Sequence, residues 1–137
     1  YVEACYNNIA VVYLNQSRYD EALANFEKAL VIRIWKYGHN HSDVATCYFG
    51  IGNVYWNQSR YEDALSNYEK ALDIYIDKYG SNHLDVAQCY FGIGKVYWTQ
   101  SRYEDALANY RKALEIRIHK YGHKHPDVAQ CYFGIGK

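Results

Sequence analysis

The densest set of potential metal ligands lies in two short loops, His39-Asn40-His41 with Asp43 just behind and His123-Lys124-His125 with Asp127. Two imidazoles and a carboxylate at this spacing could hold zinc or nickel. The corresponding loop between them reads Ser81-Asn82-His83, so the pair does not recur. A plainer role suits all three loops: a histidine that bonds loop backbone and caps the helix that follows. No metal site is expected. Cys5, Cys47, Cys89 and Cys131 fit catalysis poorly, because a thiolate nucleophile needs an exposed electropositive pocket and these cysteines fall on a helical core pattern. Adjacent acids such as Glu62-Asp63 sit at a helix start, where they favour the helix dipole. The sequence has no phosphate loop, Gly-x-Ser-x-Gly or His-Glu-x-x-His motif. An enzyme is not expected, nor is a cofactor.

Recognition chemistry is better represented. Phe49, Trp56, Phe91 and Trp98 are large apolar groups at recurring places. If they face an open surface, they mark a contact site, with tryptophan a favoured anchor; packing between neighbouring short helices is the alternative. Asn53 can bond an extended main chain through both donor and acceptor, and Lys95, at the matching place, offers a point charge to a carboxylate.

These residues are positioned by a period. The four cysteines are each 42 residues apart, as are Tyr13, Tyr55 and Tyr97, and residues 44–85 match residues 86–127 at 31 of 42 positions. A fixed period of this size marks an array in which each unit touches its neighbours and the stack offers an extended surface. The balance of 15 Lys+Arg against 15 Asp+Glu argues against nucleic-acid binding, which needs a clustered basic face. No apolar run is long enough to span a membrane, and the first residues lack the pattern of a signal peptide. Equivalent cysteines in stacked helix pairs should lie roughly 10 Å or more apart, too far for a disulfide. They read as small buried apolar residues in a reducing compartment, consistent with a cytoplasmic location. The sequons at Asn15, Asn40 and Asn57 then read as accidents of turn composition.

Each unit reads as two antiparallel helices. Tyr61, Ala64, Leu65, Tyr68, Ala71, Leu72 and Tyr75 follow the spacing of an amphipathic helix, and no stretch alternates as a strand would. The spacing predicts short helices over 3–15, 44–57 and 86–99, long helices over 18–37, 60–79 and 102–121, and a partial helix from 128. Ser17, Ser59 and Ser101 each stand three residues before an acid, the pattern of a capping box. Gly38, Gly80 and Gly122 suit the left-handed end of the long helices, and Asp43, Asp85 and Asp127 suit the cap of the next short one. Gly52 and Gly94, costly in a helix interior, predict close approach of the two helices of a unit, with Ala22, Ala64 and Ala106 opposite.

Tyr48-x2-Ile51-Gly52-x2-Tyr55 followed by Ala64-x3-Tyr68 and Ala71 resembles the tetratricopeptide (TPR) pattern, repeated from Tyr6 in the first unit and Tyr90 in the third. The usual unit has about 34 residues. Here the helix-ending proline is replaced by Ile34, Ile76 and Ile118, so the second helix runs on, and the glycine between the helices is replaced by serine. The longer unit with a Tyr-Gly-x-x-His ending is similar to the repeats of kinesin light chains. The resemblance implies an all-α solenoid of antiparallel helix pairs in a right-handed superhelix, with repeats at 1–43, 44–85 and 86–127 and a partial fourth at 128–137. It also implies a protein or peptide adaptor whose short helices line a concave face. On this chain that face is Ala4, Asn7, Asn8, Val11, Leu14 and Asn15 in the first unit. In the second it is Thr46, Phe49, Gly50, Asn53, Trp56 and Asn57, and in the third Gln88, Phe91, Gly92, Lys95, Trp98 and Thr99. Helical spacing independently groups 46, 49, 53 and 56. The second and third short helices differ only at 46/88, 53/95 and 57/99, all on this face. The rival reading is structural: near-identical units with open ends could associate head to tail into filaments or rings.

Overall fold

A computed structural model describes residues 2–121. It holds six helices: α1 (Val2–Asn15), α2 (Tyr19–Tyr37), α3 (Ser42–Asn57), α4 (Tyr61–Tyr79), α5 (Leu84–Thr99) and α6 (Tyr103–Tyr121). No strand occurs among the described residues. The expected alternation of short and long helices is present, and α2, α4 and α6 run past Ile34, Ile76 and Ile118 as the missing proline predicts. Gly122, Asp127, Cys131, the loop His123-Lys124-His125 and the partial helix from 128 lie outside the described residues.

The chain divides within α4 into two compact units, residues 2–74 and 75–121 of the described chain. In the first unit, Ala10, Ala22, Phe26, Ile51 and Val54 form the core, with Leu14, Tyr13 and Leu30 packed against it. Glycine sets the helix spacing. A Cβ on Gly50 would lie 2.5 Å from the Phe26 ring, and one on Gly52 would lie 2.8 Å from the Tyr68 ring. In the second unit a Cβ on Gly94 would come within 2.9 Å of Tyr110. The close approach expected at Gly52 and Gly94 is therefore present, but the group lying on each glycine is an aromatic ring of the long helix rather than an alanine. Lys36 near the end of α2 pairs with Glu3 at the start of α1, 3.2 Å apart.

The turn between short and long helix differs from the expected capping box. Ser17, Ser59 and Ser101 have φ of 60°, 60° and 62°, in the left-handed region. Each is the residue just past the end of a short helix, not the start of a long one. In the first turn the Ser17 N–H donates to Leu14 O and the Arg18 N–H to Tyr13 O, which is a Schellman motif. Arg60 to Tyr55 and Arg102 to Tyr97 repeat the longer bond, at 2.8 Å each. The arginine also lies over the ring of the tyrosine it bonds, 4.5 Å away at Arg18 and 4.3 Å at Arg60 and Arg102. It then forms an ion pair three residues into the long helix, with Glu21, Asp63 or Asp105. The residue at the cap of α2 is Arg18, whose side chain makes no capping bond.

The second connection has the histidine cap expected of its loop but not the aspartate cap. The caps of α3 and α5 are His41 and His83, not Asp43 and Asp85. Nδ1 of each imidazole accepts the backbone N–H two residues on, at 3.0 and 3.1 Å. Each ring also stacks on the tyrosine that ends the preceding long helix, Tyr37 at 4.2 Å and Tyr79 at 4.1 Å between centroids. Between them Gly38 and Gly80 turn the chain at positive φ. The aspartates instead occupy the first helical turn, where their charge favours the dipole. Replacing His83 by alanine removes both cap and stack and is expected to cost about 1–2 kcal/mol in denaturant unfolding. His83→Asn, which can cap but not stack, should recover part of that loss.

Candidate functional site

The residues assigned to the concave face fall into two groups. Asn8, Val11, Thr46, Asn57, Gln88 and Thr99 are exposed, and Asn7, Asn53, Trp56 and Lys95 are half-buried. Trp98 is 41% exposed. All of these positions on α1, α3 and α5 are at least partly accessible.

Phe49 and Phe91 are placed differently from expectation. They are half-buried, not open anchors. The Phe49 ring lies tilted against Tyr68 with centroids 5.3 Å apart, and Phe91 lies likewise against Tyr110. The Arg117 guanidinium covers Phe91 at 5.4 Å. The physical reason is the glycine contact: Tyr68 and Tyr110 are drawn onto Gly52 and Gly94, so their rings sit high enough beside the short helix to meet the phenylalanine three residues back. Gly50 and Gly92 are buried, Gly50 beneath Phe26, so neither lies on the face. Leu14 packs on the core. Ala4 is half-buried and Asn15 exposed.

At the centre of the α3 face, the Tyr68 hydroxyl donates to Oδ1 of Asn53 at 2.5 Å. The tyrosine is fully buried, so the bond fixes the amide in one orientation and leaves its nitrogen as donor. One turn on, Asn57 donates to the Asn53 carbonyl at 2.7 Å. On α5 the Thr99 hydroxyl makes the matching bond to the Lys95 carbonyl at 2.8 Å. Burial depresses the Lys95 ammonium below the ordinary lysine range.

That shift has a sign. A lysine whose pKa falls on folding binds its proton less tightly in the native chain than in the unfolded one. Its penalty is complete at neutral pH and is relieved as pH rises through the native pKa toward the unfolded value. Lys95→Asn, which copies the second repeat, is expected to raise the denaturant midpoint at pH 7, with the gain shrinking at pH values near those where free lysine titrates. An equal gain at both pH values would assign the effect to packing instead.

Neither Cys47 nor Cys89 is an activated thiol. Cys47 and Cys89 are buried, and burial raises both thiols; at Cys47 the nearby Arg33 guanidinium opposes that rise. Arg33 donates to Cys47 Sγ at 3.3 Å and to the Asp43 carbonyl at 3.1 Å. Cys5 is exposed, contrary to the expected burial, because among the described residues no long helix lies on its face of α1 as α2 lies on Cys47. His39 and Asn40 are exposed loop residues, and the His41 ring nitrogen is used as a cap. No group of three or more potential metal-ligating side chains occurs among the described residues. No helix among them is long and apolar enough to cross a membrane.

One accessible feature was missed from the sequence. On the outer side of α2, Val31 and Trp35 are 66% and 84% exposed. The signal was available, because the matching residues of the later repeats are polar or charged: Asp73 and Asp77, then Glu115 and His119.

A family model described as Tetratricopeptide repeat matches residues 1–77 and 50–119. No curated protein matches the sequence. Among solved structures, BtubC (BKLC) from P. vanneervenii aligns with a TM-score of 0.89 at 25% identity, over 98% of this chain and 54% of that one. A Podosopora anserina protein of nearly identical, kinesin-light-chain TPR-like repeats gives a TM-score of 0.80 at 15% identity, over 97% and 66%. The Rap conjugation gene regulator of plasmid pLS20, solved in complex with the Phr* peptide, gives 0.80 at 21% identity, over 96% and 35%. The chain thus spans between a third and two thirds of the length of these structures, and the likeness is that of an all-α helical-repeat solenoid.

Proposed function

The chain belongs to the tetratricopeptide repeat family, and from that premise we propose that it is a protein-interaction scaffold that binds an extended peptide segment along the accessible faces of its short helices. The observation that carries this reading is Asn53. Its amide is held by a buried tyrosine hydroxyl at 2.5 Å, and a side chain fixed before the ligand arrives loses little freedom on binding. An amide fixed in this way suits a peptide backbone, which presents a carbonyl to its nitrogen. Lys95 takes the same place in the next repeat and suits an acidic side chain or a C-terminal carboxylate. Trp98 supplies an exposed aromatic anchor. Four positions differ between α3 and α5, 42/84, 46/88, 53/95 and 57/99, and none of them is buried, while the residues buried in both helices are identical. The pLS20 regulator, of related fold, was solved with a peptide bound, which supports a peptide as the ligand class.

The test is a peptide-library selection on the immobilised chain. The comparison is a variant with Asn53, Trp56, Lys95 and Trp98 all replaced by alanine, its helicity checked by circular dichroism. Peptides enriched on the parent and lost on the variant establish the face and reveal its motif. Equal enrichment on both, or none on either, rejects the assignment.

A second reading, head-to-tail association, draws on α1. Val2, Ile9 and Val12 are exposed where the equivalent Val44, Ile51 and Val54 are buried, so this face is built to receive a long helix. Ile9→Glu should abolish any concentration-dependent growth that arises there, as read by sedimentation velocity.

A further inference from the structure

The outer face of α2 carries a stripe that the other long helices lack. Ala24, Lys28, Val31 and Trp35 fall at successive turns on one side of the helix. The matching residues are Ser66, Lys70, Asp73 and Asp77 in α4, and Ala108, Lys112, Glu115 and His119 in α6. All eight of those are exposed. The position therefore faces solvent wherever a long helix occurs, and the exposure of Trp35 and Val31 does not depend on what lies beyond α1. A scaffold that places Asp77 and His119 at this position in the second and third repeats has no packing need for Trp35 in the first. Exposed tryptophan beside exposed valine is the composition of a contact site rather than of a solvated helix face.

At the other end of the stripe is an open groove lined by Tyr6, Ala24, Glu27, Lys28, Val31 and Ile32. Lys28 lies over the Tyr6 ring at 5.5 Å. The floor is apolar, with one base and one acid on the rim. Trp35 does not line this groove; it stands 11 residues along from Ala24, roughly 16 Å at the helical rise.

We propose that α2 pairs antiparallel with α2 of a second copy, each Trp35 seating in the partner copy's groove beside Ala24. A two-fold axis crossing α2 midway between residues 24 and 35 places the largest side chain of the stripe opposite the smallest, twice, which is the self-complementarity an isologous contact requires. It also sets Val31 against the aliphatic stem of the other Lys28. Because each face carries one Glu27 and one Lys28, two copies do not repel, and each lysine can reach the other copy's glutamate. The charge pattern and the large-to-small pairing favour a second copy over an unrelated partner. A single helix pair buries a small interface, so the dimer is of the transient class, with a dissociation constant in roughly the micromolar range.

Sedimentation velocity of the full chain across micromolar to millimolar concentration tests this. The parent should pass from monomer to dimer and stop there. Trp35→Asp, the residue of the second repeat, and Ala24→Arg, which fills the groove without touching the tryptophan, should each raise the dissociation constant about tenfold or more. Both sites are exposed, so circular dichroism should show unchanged helicity. A parent that stays monomeric throughout overturns the proposal and leaves the stripe to a different protein. So does association that survives both substitutions, or that grows beyond the dimer and responds to Ile9→Glu instead.

Discussion

Gly52→Leu is expected to destabilise the chain by about 3 kcal/mol or more, and Gly52→Ala to destabilise it as well. The second expectation is the sharper one, because two effects of similar size oppose each other. On helix propensity alone, Gly→Ala in a helix interior gains about 1 kcal/mol. Against that, the new Cβ would sit 2.8 Å from two carbons of the Tyr68 ring, closer than packed carbons approach. The ring has little room to retreat, since Tyr68 is fully buried and its hydroxyl is bonded to Asn53. Overpacking of this kind costs about 1–3 kcal/mol and more when nothing can shift. The packing term should win, so the sign of Gly52→Ala in urea unfolding decides between them. A rise in midpoint would mean that the ring gives way and that the glycine is not what sets the helix spacing. Gly94→Ala, with Tyr110 at 2.9 Å, should behave the same way.

Replacing Ser17, Ser59 and Ser101 together by glycine should stabilise the chain by about 3 kcal/mol, or roughly 1 kcal/mol each. A residue with a Cβ pays about 1–2 kcal/mol in the left-handed region, where all three serines lie. Glycine escapes that cost but is freer in the unfolded chain, which returns a few tenths to 1 kcal/mol. All three serines are exposed, and the side-chain bond at stake among the described residues is the long contact from the Tyr103 hydroxyl to Ser101 at 3.4 Å. The Schellman bonds use the backbone and survive the change. For a chain of this size the gain corresponds to a rise in Tm of about 6–12 °C. If the serines were true N-caps the same triple change would be close to neutral, so thermal unfolding separates the two descriptions of the turn.

These two cases show what the sequence could and could not reveal. The helices and their ends were legible to within about two residues, because apolar spacing over a long amphipathic helix is a strong signal and three copies repeat it. The glycine contact was legible because an unfavourable residue kept inside a helix needs a packing reason. The turn was misread because Ser-Arg-Tyr-Glu satisfies the capping-box pattern when serine is taken as the start of the long helix. Placed one residue past the C-cap of the short helix, the same serine is the left-handed terminator. The arginine that follows, drawn back over Tyr13, Tyr55 or Tyr97, was the overlooked clue. The capping role expected of the loop histidines is present at His41 and His83, whereas Asp43 and Asp85 suited the same cap only because aspartate is a common one; the stacking tyrosine, which fixes the imidazole, is a contact across the loop that no local pattern reveals.

Of the candidate face, the exposed polar positions and Trp98 were legible from helical phase alone. Phe49 and Phe91 were not, since their burial depends on a ring from the other helix of the pair. Asn53 was singled out for its bonding capacity, but the hydroxyl that fixes it comes from Tyr68, 15 residues away. Trp35 belongs to no short helix and to no family pattern, and its signal is the contrast with Asp77 and His119 at the same place in the other long helices.

The ring pair Tyr79–His83 closes the base of its loop as a clasp, and the helix cap is made by the clasp itself rather than by anything between its two halves. Gly80, Ser81 and Asn82 are exposed. Lengthening that segment costs little, because doubling a loop adds only about 0.6 kcal/mol of closure entropy. Foreign sequence could therefore be grafted between the clasp residues with the helices on either side still held, making this loop a natural point at which to display an epitope or attach a second domain.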